Sequence, residues 1–211
     1  MQRITRHVVL FLASSAACAA FYLALAPERP MFGLSMATAY VGLVLLALTL
    51  MIGPWNKLRG RPNPVSGYLR RDIGIWAGVL GIAHVIPGLQ VHMGGKMWLY
   101  FLPPANATYA FPLRIDPFGL TNYAGLGATL ILLLLLALSN NASLRALGAS
   151  RWKSLQRWNY AGVLLVIAHG VVYQVLEKRT IGFVVAFAAI VLLAVVIQIA
   201  GFRMVKKTRA Q

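Results

Sequence analysis

Residues 158–176, WNYAGVLLVIAHGVVYQVL, form an apolar run broken near its middle by one ionisable ring, His169. At 1.5 Å per residue such a run nearly crosses a hydrocarbon core of about 30 Å as a helix. Residues 72–93, DIGIWAGVLGIAHVIPGLQVHM, repeat the pattern around His84. An imidazole at that depth needs a partner, and ionisable groups inside membrane spans usually face the bundle interior and mark a pathway or a cofactor.

The rest of the chain shares this character. Of its 211 residues 59% are hydrophobic and 11% charged, and the mean hydropathy is +0.72. That composition belongs to an integral membrane protein and leaves no room for a soluble catalytic domain of ordinary size. The expected fold is all-α, a single domain over residues 1–211 forming a six-transmembrane-helix bundle. The spans are placed near 7–26, 33–53, 72–92, 119–138, 158–176 and 180–201. Breakers lie between them: Pro27 and Pro30, then Pro54, Pro62 and Pro64, then Pro103, Pro104, Pro112 and Pro117, and finally Ser139-Asn140-Asn141.

Charge gives the orientation, because Lys and Arg in short loops stay on the cytoplasmic side. Arg3, Arg6, Lys57, Arg59, Arg61, Arg70, Arg71, Arg145, Arg151, Lys153, Arg157, Arg203, Lys206, Lys207 and Arg209 fall on one side. Arg29, Lys96, Arg114, Lys178 and Arg179 fall on the other. Both termini are therefore expected on the cytoplasmic side. The net charge of +16 then reads as topology and attraction to anionic lipid. Nucleic acid is a poor fit as a partner, since no soluble basic domain with interleaved aromatics is present.

The N-terminus resembles a secretory signal, with Arg3, Arg6 and a small-x-small Ala24-Leu25-Ala26. Its apolar run is too long for one and is expected to remain as the first span. Cys18 has no second cysteine to pair with. No glycine-rich dinucleotide fingerprint, phosphate loop or HExxH helix occurs, and four acids are too few for a carboxylate active site. Any redox chemistry must therefore come from a bound cofactor.

Spans three and five run in the same direction. His84 lies twelve residues past Asp72 and His169 eleven past Trp158, which puts the rings at depths of about 18 and about 17 Å. Two neutral imidazoles at one depth meet the axial requirement of a six-coordinate haem iron, with His84 and His169 as its metal ligands. Gly81 and Gly88 share a helical face with His84, and Gly162 shares one with His169. Room for a flat macrocycle is one reason for them, and close helix packing without any cofactor is the other.

Several stretches now bring a family into view: Leu69-Arg70-Arg71-Asp72-Ile73-Gly74-Ile75-Trp76, Ile82-Ala83-His84, Asp116-Pro117-Phe118, and Trp152-Lys153-Ser154-Leu155-Gln156-Arg157-Trp158-Asn159-Tyr160 followed by Ala168-His169. Together with Leu48-Thr49-Leu50-Met51-Ile52-Gly53-Pro54, they resemble the ferric reductase-like transmembrane domain over roughly residues 33–200. Within that group the chain looks most like the haem-binding membrane subunits of periplasmic methionine sulfoxide reductase systems. The resemblance implies a six-helix protein that binds haem b at His84 and His169, near the outer face. Its donor would be a cytoplasmic flavin reductase or quinol, and its acceptor a periplasmic redox protein.

One position departs from the family. Relatives usually carry a second histidine thirteen residues before the one on span five, and here it is Gln156, a poor ligand for haem iron. One haem is therefore expected, and the inner half of the membrane lacks a carrier. A flavin, FMN, near Arg70, Arg71 and Arg157 is a candidate bridge. The same arginines are candidates for haem propionate contacts, and the positive-inside rule alone also explains them. His92 is expected to be an interfacial residue and His7 an N-terminal flank. Loop 93–118, with Met97, Trp98, Leu99, Tyr100, Phe101 and Leu102, reads as an interfacial hairpin or a docking surface. Two other functions stay open: a quinol or superoxide oxidase acting alone, and a small transporter or channel without haem.

Overall fold

The computed structural model describes residues 2–25, 28–61, 68–103 and 112–209, with side chains to residue 204. Pro27, Pro62, Pro64, Pro104, Ala26 and the side chains of Lys206, Lys207 and Arg209, all used in the sequence reading, lie outside it. The described residues are helical and contain no strand. The helices are α1 (Gln2–Leu25), α2 (Pro30–Leu58), α3 (Tyr68–Gly88), α4 (Pro117–Leu138), α5 (Asn141–Gln156), α6 (Trp158–Leu176) and α7 (Ile181–Arg209). The stretches Gln2–Leu25, Pro30–Leu58, Pro117–Leu138, Asn141–Leu176 and Ile181–Met204 are long and apolar enough to cross a membrane. Helix α3, the third expected span, is shorter on apolar residues because it opens on Arg70, Arg71 and Asp72.

The bundle is built from two main helix pairs. Helix α2 packs most extensively on α3, and α4 on α6, while α7 lies along α2 and α3 meets α4. Small residues permit the close approaches: a Cβ on Gly78 or Gly81 of α3 would strike Leu136 or Leu132 of α4. Likewise, a Cβ on Gly162 of α6 would reach Ile131. Of the two roles left open for these glycines, Gly162 serves helix packing, while Gly81 both packs on α4 and lines the cavity of the two histidines.

Three local features depart from the sequence reading. Pro54 was expected to end the second span, yet α2 continues to Leu58. Proline removes the N–H that would bond the carbonyl of Leu50, and Gln198 of α7 supplies the missing donor at 2.8 Å. Helix α3 stops at Gly88, one residue after Pro87, so His92 stands beyond it. The 139–157 connection is largely helical. Asn140, read as a breaker, caps α5 by accepting from the Ser143 N–H at 2.8 Å, and Trp152 folds back to donate to the Leu138 carbonyl.

Near the start of α3 Asp72, wholly buried, is held by α1. Arg6 Nη1 approaches one carboxylate oxygen at 2.9 Å and Arg3 Nε the other at 3.2 Å. His7 accepts from Trp76 Nε1 through Nδ1, so its Nε2 carries the proton and faces Asp72 at 3.4 Å. His7 is therefore part of a charge cluster that fastens α1 to α3, rather than a flank. Asp72→Ala leaves two partly exposed guanidiniums without their acceptor. The expected loss is about 1–3 kcal/mol, read as a lowered thermal midpoint in detergent.

Candidate functional site

Two helix starts set the register of the site. Pro30 occupies the first turn of α2, and Asp116 caps α4 by accepting from the Gly119 N–H at 2.7 Å, with Pro117 at the first helical position. Ser35 and Thr121 consequently fall in the second turns of α2 and α4. Their backbone carbonyls receive the two histidines: His84 Nδ1 lies 2.9 Å from Ser35 O, and His169 Nδ1 lies 2.8 Å from Thr121 O. A carbonyl oxygen only accepts, so both rings are fixed as the Nδ1–H tautomer. Each Nε2 keeps its lone pair.

Both histidines line one cavity of about 320 Å³ within the bundle. The cavity is polar at one end, where His92, Tyr100, Gln174 and Arg179 stand, and apolar at the other, where Leu46, Ala77, Ala128 and Leu132 close it. Two glycines leave room for the rings, Gly88 on the helix of His84 itself and Gly125 on the helix facing His169. The ring of His84 rests over Gly88, 3.6 Å from the place a Cβ would take. Gly125 is tighter, because a Cβ there would sit 2.8 Å from His169 Nδ1. Tyr173, one turn beyond His169, packs its ring 4.8 Å from the imidazole and donates to Asn122 Oδ1 at 2.9 Å.

This arrangement suits a haem axial pair. A ligating histidine normally donates its other ring N–H to a carbonyl or carboxylate, which fixes ring direction and raises ligand basicity. His84 and His169 both do so. Among the described residues no cluster of three or more His, Cys, Asp or Glu could hold a bare metal ion. Of the expected glycines, Gly88 lies at a ring; Ser35, Thr121 and Gly125 were not singled out from the sequence. A hydroxyl residue near a helix start and a glycine in a small-residue run are too common to stand out.

Above the cavity, His92 Nε2 is 3.2 Å from Glu177 Oε1, and its backbone N–H donates to the Tyr100 hydroxyl at 2.9 Å. Tyr100 in turn donates to Gly88 O at 3.0 Å and is almost completely buried, so part of the 93–118 segment forms a roof rather than a free hairpin. Trp98 remains exposed. Burial pushes the pKa of His92 below the usual value, and Arg29 and Arg179 push the same way against Glu177.

Arg70, Arg71 and Arg157 come together elsewhere. With Lys57 and Lys153 they line a second cavity of about 670 Å³ at the opposite end of the bundle, into which Gln156 also faces. The two cavities meet at Leu46 and Leu132, which border both. Among the described residues no carboxylate lines this second cavity. Arg71 Nε and Nη2 and Gln156 Nε2 are buried there without a hydrogen-bond partner among the described residues.

No family model matches the chain. Curated relatives do. The chain is 33% identical over 184 residues to a protein-methionine-sulfoxide reductase heme-binding subunit MsrQ of Azospira oryzae, spanning 86% of this chain and 69% of that protein. It is 30% identical over 141 residues to the MsrQ of Ralstonia nicotianae, spanning 67% of this chain and 58% of that protein. With several membrane-length apolar helices and this extent of likeness, the chain is a multi-pass membrane protein that belongs to the MsrQ family.

Proposed function

We propose that this protein is a b-type haem electron-transfer subunit of the bacterial inner membrane. It would cross six times, with both termini in the cytoplasm, and pass electrons from a cytoplasmic flavin reductase or quinol to a periplasmic acceptor such as a methionine sulfoxide reductase. The observation that carries the reading is the matched pair of tautomers: two buried imidazoles on one cavity, each with Nδ1 tied to a backbone carbonyl and Nε2 left to ligate. The relatives, named as heme-binding subunits, support it. So does the gathering of Arg70, Arg71, Arg157, Lys57 and Lys153 at one end of the bundle, as expected of a cytoplasmic face.

In this scheme His84 and His169 are the axial ligands of a single haem. Bound there, haem would supply a one-electron couple that no amino acid of the chain provides. The carbonyls of Ser35 and Thr121 hold the rings in direction, the apolar floor at Leu46 and Leu132 excludes water, and the roof at Tyr100 and His92 covers the outer side. Arg70, Arg71 and Arg157 are assigned to the phosphate of a flavin, FMN, in the inner cavity, where the unpartnered N–H groups of Arg71 and Gln156 need an acceptor. Propionate contacts from these arginines would require the haem carboxylates to reach past Leu46 and Leu132.

Purified protein from haem-replete cells should show a Soret band that shifts on dithionite reduction. A colourless preparation would overturn this reading in favour of a transporter or channel. Reduction by NADPH and a flavin reductase, compared with quinol alone, separates the two-partner scheme from a self-sufficient quinol oxidase.

A further inference from the structure

Haem b is two-sided: one edge carries two carboxylates and the opposite edge is hydrocarbon. The cavity of His84 and His169 has the same polarity. Leu46 lies eleven residues inward from Ser35 on α2, and Leu132 lies eleven inward from Thr121 on α4, about 16 Å along each helix. Beyond the histidines in the other direction stand Gln174 and Arg179.

Arg179 is the one lysine, arginine, aspartate or glutamate among the described residues lining this cavity. Its position is set by the backbone. Helix α6 closes with Lys178 in the left-handed region at φ 46°, and the N–H of Arg179 then reaches back to Gln174 O at 3.1 Å while that of Lys178 reaches Val175 O at 3.2 Å. This six-to-one and five-to-two pair turns the chain sharply at a fixed angle, at the strain cost of a non-glycine residue there. The Arg179 guanidinium stacks 4.7 Å from the centre of the Phe32 ring and has no carboxylate within 4 Å among the described residues. Glu177, two residues away, is engaged by His92. Glu177 acts on the guanidinium through its charge but does not hydrogen-bond it, and a half-buried cation without such a contact is costly unless a ligand provides one.

We propose that Arg179 is the anchor of a haem propionate, so that the macrocycle sits with its carboxylate edge toward the outer rim and its hydrocarbon edge against Leu46 and Leu132. The proposal rests on the haem reading above and deepens it by fixing which way round the cofactor lies. It also removes the need for Arg70, Arg71 or Arg157 to serve the propionates.

The test compares haem loss from the full-length protein in detergent to excess apomyoglobin, for wild type and Arg179→Gln, each loaded with haem b or with haem b dimethyl ester. With haem b, Arg179→Gln should release about tenfold faster, as expected for removing one charge-assisted hydrogen bond. With the dimethyl ester, which has no carboxylate, the two proteins should release at the same rate. An equal acceleration with both cofactors would show that Arg179 only supports the fold. Equal release with haem b would place the propionates elsewhere, and either result overturns the proposal. Failure of wild type to take up haem at all would overturn the underlying haem reading as well, which distinguishes the two.

Discussion

Haem content, counted by pyridine haemochrome, should fall from about one per chain to less than about a tenth in both His84→Ala and His169→Ala, because a bis-imidazole site loses its bond strength when either axial nitrogen is removed. Each histidine is anchored by a single backbone carbonyl, Ser35 O or Thr121 O, that already belongs to a helix. Truncation therefore leaves no charged group stranded and the bundle should persist. Loss of colour with retained helicity reads as loss of coordination. Adding free imidazole to His169→Ala should restore part of the Soret band, since the vacated ring leaves a space with a carbonyl acceptor at one end. Near-unit occupancy in both alanine variants would remove the ligand assignment.

The second large effect involves a glycine that meets the His169 ring from another helix. Gly125→Ala introduces a Cβ 2.8 Å from His169 Nδ1 and 2.9 Å from Cε1, closer than real Cβ contacts occur. The imidazole has no flexible end to swing away, so the ring must move and its 2.8 Å bond to Thr121 O must lengthen or break. Loss of such an orienting contact typically costs about 10–100-fold in metal affinity, and a comparable increase in haem release is expected. Gly88→Ala is the matched control on the other ring, since a Cβ there meets His84 at an ordinary 3.6 Å. Its haem affinity should change by less than about threefold, the scale of a tolerated contact. Equal effects of the two alanines would mean that packing between helices, and not ring placement, governs binding.

Which parts of this picture could be read along the chain follows from the range of the forces involved. Apolar runs, proline breakers and basic loops are local signals, and they correctly located most helices and an all-helical membrane fold. His84 and His169 stood out because an ionisable ring in hydrocarbon is conspicuous without any knowledge of its neighbours. Pro54 misled, because the donor that repairs its missing bond, Gln198, comes from a helix far along the sequence. His7 was passed over for the same reason, since its role depends on Asp72 and Trp76 across a helix interface. Asn140 was noticed but misread, since a residue that stops one helix can also cap the next.

The sequence by itself determined that this chain lives in a membrane, that it is helical, and which two rings are candidates for chemistry, because hydrophobicity and charge act on each segment separately. Only the tertiary structure decided that both rings donate through Nδ1, that Gly125 makes the space for one of them, and that Arg70, Arg71 and Arg157 belong to a different cavity from the histidines. Those are facts about groups on different helices, and no periodicity within one helix encodes how another will face it.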